Sequence, residues 1–186
     1  LTQNQFREYL LPYKVLDLQP LDSWRQDFRH FHTDSLYELE YCDMFRNSSY
    51  SAAVVMNRNL GEIIKPFSWN AVECPVYRIP TRCRIPFGTC DDYAYISAVL
   101  FRSAGIPTSI EVNPHWAYRS LGHRANAIIA PTGKSIIFSG LSTGPDKTHH
   151  ADEKLAKMYR VTYARNRELT RLNRSGEYVP DFFRNL

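Results

Sequence analysis

The segment FGTCDDYAYISAVLFRSAGIPT, residues 87–108, constrains the fold more than any other part of the chain. Thr89 followed three residues later by Asp92 has the pattern of a capping box, with a side-chain oxygen at the N-cap and a carboxylate at N3. Cys90 is then the first residue of a helix. From Ala94 through Ile96, Ala98, Val99, Leu100 and Phe101 the run is apolar on nearly every side, so this helix has to be buried. Gly105 suits a left-handed C′ position, Ile106 can fold back on the last turn, and Pro107 forbids continuation.

A cysteine at that threshold has two readings. One is a core cysteine at a helix start. The other is chemical: the N–H groups and partial positive charge of a helix N-terminus favour a thiolate over a thiol of pKa about 8.5. Asp91 and Asp92 oppose ionisation, because nearby negative charge raises a thiol pKa. Activation therefore calls for a cationic partner, most simply a histidinium.

The chain has 186 residues, 44% of them hydrophobic, enough for one domain with a substantial core. The formal net charge of +4 is modest, and the basic residues are interspersed with acids. No Lys/Arg run or basic–aromatic alternation marks a nucleic-acid surface. No apolar stretch is long enough to span a membrane. The chain opens at Leu1, without methionine or signal peptide, and is expected to be a piece of a longer multidomain chain. Cys42, Cys74, Cys83 and Cys90 lack zinc-knuckle spacing. Cys74 and Cys83 could bridge a loop, although free thiols are the expectation.

The N-terminal third reads as helical. QNQFREYLL ends at Pro12, and LDSWRQDFRHF spaces Leu21, Trp24, Phe28 and Phe31 at helical intervals. A further helix is expected near SSYSAAVVMNRNL, stopped by Gly61. Residues 65–88 carry Pro66, Pro75, Pro80 and Pro86 and read as an extended, turn-rich approach to the Cys90 helix. EKLAKMYRVTYARNREL fits strand alternation in parts and helical spacing in others.

Beyond the Cys90 helix, TSIEVNPHW, HRANAIIA and KSIIFSG are β-branched, alternating and bounded by turn residues, which predicts strands. APTGK suits a hairpin with Pro131 and Thr132 in a type I turn and Gly133 in the left-handed bulge. If Ala130 faces Lys134, then Ala125 faces Ser139, and Ser139 lies on the face of His123, one diagonal step away. Helices followed by an antiparallel sheet make the class α+β, with the Cys-bearing helix packed on the sheet. His123 begins its strand behind Gly122, which permits close approach of another chain. It is the best candidate base for Cys90, in the thiol acyl-transfer layout of cysteine, histidine and a third orienting group. Its plainer reading is a half-buried structural histidine.

GTCDDYAYISAVLFRSAGIPT resembles the core motif of the transglutaminase-like superfamily, G-x-C-x-D-x-A leading a helix that ends in R-x-x-G-I-P. NPHWAYRSLGHRANAIIAPTGKSIIFSG is similar to that family's histidine strand and following hairpin. FREYLLPYKVLDLQPLDSWRQDF is similar to the lead-in of large bacterial envelope members, in which L-P-Y-R and a later W-R recur. The resemblance implies a papain-like fold with Cys90 as nucleophile and His123 as base. Asp92 matches the acid two residues after the cysteine, with helix capping as its preferred role. Trp116 matches a tryptophan ahead of the histidine and either lines the cleft or sits in the core. Trp69 and Tyr77 are candidate oxyanion-side residues.

Two positions depart from that pattern. The family commonly reads H-x-W-N, whereas HRAN puts Ala125 at the tryptophan position. The third catalytic residue is usually an aspartate, and here that place holds Ser139. A carboxylate there stabilises the imidazolium, and its loss in a serine protease costs about four orders of magnitude. A hydroxyl can accept the ring N–H but brings no charge. Asp146 lies a few residues on, in a loop that gives no reason for it to reach the site. HHADE, with His149 and His150, looks superficially like a metal cluster, but adjacent histidines point apart on most backbones.

The expected organisation is one domain over 1–186: a helical lead-in at 1–64, a catalytic-type core at 65–145 and a C-terminal extension at 146–186. The expected activity is acyl transfer from a peptide or glutamine-type amide, with hydrolysis favoured over cross-linking. No cofactor and no metal are expected. The expected partners are a peptide or protein substrate, glycan-linked forms included, and other domains of the same chain, in a periplasmic or cell-surface setting. The alternative is a catalytically degenerate member that binds peptide or glycan or acts as a scaffold.

Overall fold

A computed structural model describes residues 1–64, 68–70, 74–118, 120–140, 142–147, 157–164, 166–180 and 183. Its centre is the helix that the sequence demands, Cys90–Ser103, the sixth in chain order (α6). The Thr89 N–H donates to Asp92 Oδ2 at 2.9 Å, and the Thr89 hydroxyl lies 3.2 Å from the same oxygen, closing the capping box. At the other end Gly105 has φ +80°, the Ile106 N–H bonds Phe101 O at 2.9 Å and the Gly105 N–H bonds Arg102 O at 3.2 Å. Those two bonds are a Schellman stop. Every residue from Ala94 to Arg102 is buried.

α6 packs on a four-stranded sheet of β3 (Thr108–Asn113), β4 (His123–Ile129), β5 (Ser135–Phe138) and β6 (Tyr159–Arg160), ordered β5-β4-β3-β6 and antiparallel throughout. The fold class is α+β. Gly133, at φ +85°, donates to Ala130 O at 2.8 Å, and Ala130 donates to Lys134 O at 2.8 Å. Ile129 faces Ser135 and Asn126 faces Phe138, the register that brings Ala125 opposite Ser139. Alternation then sorts the faces. Ile110, Asn126, Ile128 and Phe138 look towards α6, and Asn126 Nδ2 donates to Ala94 O at 2.9 Å. His123, Ala125 and Ser139 belong to the other face.

On its far side α6 is covered by helices. α1 (Gln3–Tyr9) has a capping box of its own between Thr2 and Gln5. The expected single helix across residues 21–31 is instead α2 (Trp24–Asp27) and α3 (Arg29–Glu40), broken at Phe28, whose ring packs against both halves of the core. Leu21 is 69% exposed rather than part of a buried stripe. The cause is Asp22: its carboxylate accepts the N–H groups of Trp24 (3.2 Å) and Ile79 (2.9 Å), so helix begins only at Trp24. The side chain of Phe31 is not among those described. α4 (Ser49–Ile63) runs past Gly61 rather than stopping there, and buries Ala53, Met56 and Leu60 against Ile96, Leu100 and Phe101.

The approach read as extended contains more structure than expected. Ser68–Trp69 (β1) pairs in parallel with Phe87–Gly88 (β2), and Ile79–Arg82 forms a one-turn helix (α5) with Pro80 as its second residue. Proline there is compatible with a first helical turn, where its missing N–H has no partner to lose. Pro66 lies outside the described residues. In the ambiguous C-terminal stretch the structure has β6 and then α7 (Arg167–Arg174), capped by Asn166. No helix among the described residues is long and apolar enough to cross a membrane.

Candidate active site

Cys90 is the first residue of α6, and the strand β4 begins beside it. The Arg124 backbone N–H points at the sulfur, so the cysteine lies against the residue next to His123. The Cys90 thiol donates to Asp91 Oδ1 at 3.7 Å. Asp91 Oδ1 is also 3.1 Å from Arg124 Nε. Burial pushes the Cys90 thiol pKa above its ordinary value, the Arg124 N–H opposes that rise, and the Asp91 carboxylate adds to it. The net direction is towards the protonated thiol, set first by burial and then by Asp91; Asp92, which caps the helix, is not among the causes.

His123 sits at the head of β4, opposite Asn113. Its Nε2 is 3.2 Å from Ser139 Oγ. This is the diagonal contact that the hairpin register implies. On the other side the ring lies 5.4 Å from the Trp116 ring, with planes tilted by 32°. Trp116 is only 2% exposed, so it walls the histidine from within rather than lining an open cleft. Gly122 allows the tight entry: a Cβ there would lie 2.6 Å from Asn113 O and 2.7 Å from Pro114 O.

Beyond Ser139 the chain turns instead of continuing the ladder. Ser139 N donates to Thr143 O at 3.1 Å, and Ser142 closes on Ser139 O through its N–H (2.9 Å) and hydroxyl (2.8 Å). Asp146 follows in an exposed position on that loop. His149 and His150 lie outside the described residues. Among the described residues no cluster of three or more His, Cys, Asp or Glu could hold a metal ion.

Asp92 caps the helix and also does something the sequence did not signal. Its Oδ1 is 3.0 Å from Arg82 Nε, and the Arg82 side chain is fully buried. The same arginine bonds Phe87 O, so the turn that delivers Cys90 is tied to α5 through one guanidinium. Trp69, 63% exposed, pairs with Gly88 and thereby stands beside the segment entering the site. The Tyr77 carbonyl is taken by the Tyr95 hydroxyl at 3.2 Å. Cys42, Cys74, Cys83 and Cys90 are all free thiols.

The residue overlooked in the sequence is Arg124. HRAN marks it only as the position after the histidine, and its pairing with Asp91 depends on where α6 meets β4.

No family model matches the sequence, and no curated protein matches it. A solved structure described as a "Putative Cysteine Protease" from Cytophaga hutchinsonii aligns with 84% of this chain at 15% identity and a TM-score of 0.45. The alignment covers 57% of that chain, so this protein spans little more than half its length.

Proposed function

We propose that this chain is a transglutaminase-like, papain-like thiol acyl-transfer domain that hydrolyses amide bonds in peptide or protein substrates. The observation that carries the reading is the 3.2 Å contact of His123 Nε2 with Ser139, formed beside a cysteine whose sulfur receives the next residue's N–H. With Nε2 committed to Ser139, proton exchange with the sulfur falls to Nδ1. Cys90 sulfur attacks the carbonyl carbon as its proton passes to His123. The imidazolium then protonates the leaving amine, and a Cys90 thioester remains. Water, deprotonated by His123, opens the thioester to a carboxylic acid and restores the thiol. The Cys90 backbone N–H serves the oxyanion, with the second donor from the Trp69–Tyr77 side of the cleft. Cross-linking would require an amine in place of water. The working setting is extracytoplasmic, with a peptide or protein, glycan-linked forms included, as the substrate.

A second reading, a catalytically degenerate domain that binds rather than cleaves, is favoured by one observation. The Cys90 thiol pKa is raised, and no carboxylate stands at the Ser139 position to offset it through the imidazole.

Iodoacetamide labelling resolved by peptide mapping separates the two. If His123 supports a thiolate, Cys90 alkylates roughly tenfold faster than Cys42 or Cys74 near neutral pH, and His123→Ala removes the advantage. Cys83, whose thiol pKa burial pushes up to about 11, is the slow internal standard. Equal rates at Cys42, Cys74 and Cys90, with no peptide-library cleavage by the intact chain that Cys90→Ala loses, would leave only the binding reading.

A further inference from the structure

Beside Cys90 stands a charged pair that the proposed chemistry does not use. Asp91 Oδ1 touches both the Cys90 thiol, at 3.7 Å, and Arg124 Nε, at 3.1 Å. The arginine side chain is 35% exposed and the aspartate 49%. Among the described residues no acceptor is bonded to either terminal nitrogen of Arg124. A guanidinium presents two edges, and a carboxylate on the Nε side leaves the terminal edge able to take a second carboxylate bidentately. The Arg124 backbone cannot drift, because it lies within β4 opposite Val112 and its N–H is turned to the sulfur. The group is therefore fixed in direction, partly open to solvent and within one side chain of the nucleophile.

Resting on the proposed acyl-transfer reading, we infer that Arg124, held by Asp91, is the specificity-determining residue of the cleft and binds a carboxylate of the acyl donor next to the amide that Cys90 attacks. Asp91 positions the arginine, and it also leaves the empty pair neutral, so an acidic substrate brings the charge that Arg124 recognises. Neutral substrates gain nothing from the terminal edge.

The test compares two alkylating agents that form the same kind of bond by displacing iodide from the same thiolate. Iodoacetate carries a carboxylate where iodoacetamide carries an amide, so the ratio of their rates at Cys90 cancels any change in thiol pKa. In the intact chain this ratio should exceed that at Cys42 several-fold and shrink as salt is raised. Arg124→Gln should reduce it about three- to tenfold, Arg124→Lys should retain part of it, and Asp91→Asn should increase it. Peptides then locate the carboxylate by slowing iodoacetamide labelling. Protection by Ac-Ala-Glu-Ala-NH2 assigns it to a side chain, and protection by Ac-Ala-Gln-Ala-OH assigns it to a free C-terminus. A ratio at Cys90 that is insensitive to salt and to Arg124→Gln overturns the inference, as does equal protection by the neutral peptide Ac-Ala-Gln-Ala-NH2. Slow labelling of Cys90 by both reagents, with the ratio still dependent on Arg124, would count against the enzyme reading and leave the carboxylate site standing.

Discussion

At the scale of single residues, the chemistry turns on what stands behind the imidazole. Ser139 Oγ reaches His123 Nε2 at 3.2 Å and can fix the ring's orientation, but a neutral hydroxyl does not stabilise the imidazolium. The thiol is meanwhile biased towards its protonated form by burial and by Asp91. The population of the thiolate–imidazolium pair rises as the histidine pKa approaches or passes that of the thiol. Ser139→Asp places a carboxylate at contact distance from the ring and should raise the His123 pKa, because an adjacent opposite charge favours the imidazolium. A raised base pKa keeps the imidazolium present to higher pH, and proton transfer from the thiol becomes less uphill. Cys90 alkylation should therefore begin at lower pH in the variant and be several-fold faster at pH 7. Titrating His123 by NMR beside the alkylation profile checks both halves. An unmoved histidine pKa would mean that Ser139 is not the group that governs the ring.

At the scale of elements, the contact between His123 and Ser139 depends on how the end of β5 is pinned to α6. Gly140 does the pinning. It has φ +44°, and a Cβ there would meet Ser97 Oγ at 2.8 Å and Tyr93 O at 3.0 Å. Gly105, at φ +80°, has nothing within 4 Å of its Cβ position. Gly105→Ala should thus cost only the left-handed backbone term, about 1 kcal/mol. Gly140→Ala adds a clash with the buried helix and should cost more, about 2–4 kcal/mol in urea unfolding, and blunt Cys90 reactivity by moving Ser139. Similar losses for the two alanines would remove the steric part of this argument. The same elements explain what could be read in the sequence. Cys90, the capping box, the Schellman stop and the register from Ala130 to Ser139 follow from spacings of a few residues. The ion pairs Arg82–Asp92 and Arg124–Asp91 do not, because each joins α6 to an element whose position is set only by packing. The late helix start at Trp24 was hidden for a related reason. Helical spacing runs on through residues 21–31, and the competing acceptor, Asp22, answers to Ile79, 57 residues away.

At the scale of the whole molecule, α6 divides the labour between its ends. Its 14 residues put about 20 Å between the cysteine end and the anchoring end. At the anchoring end Arg25 donates to the carbonyls of Leu10 (2.5 Å), Leu11 (3.2 Å), Pro12 (3.2 Å) and Arg102 (3.3 Å). Buried Arg102 donates twice to Thr108 O, at 2.9 and 2.7 Å, and once to Pro12 O, at 3.4 Å. Two guanidiniums therefore clamp the lead-in to the helix terminus and the start of β3, satisfying carbonyls that the turn at Pro12 would otherwise leave without partners. A cavity of about 650 Å³ also opens at this end, among Leu36, Ala52, Ala104, Ile106 and Pro131, remote from the sulfur. Arg25→Ala removes charge-assisted bonds to four carbonyls and should lower stability by about 2–4 kcal/mol, less than their sum because water reaches the exposed part of the site. Hydrogen exchange in residues 3–12 should quicken first, since the clamp is what holds that segment. Cys90 lies at the other end of α6, so its iodoacetate-to-iodoacetamide ratio should stay unchanged under conditions where the variant remains folded. If the ratio falls together with the loss of protection in the lead-in, the two ends of α6 are coupled, and the lead-in is part of the site rather than its mounting.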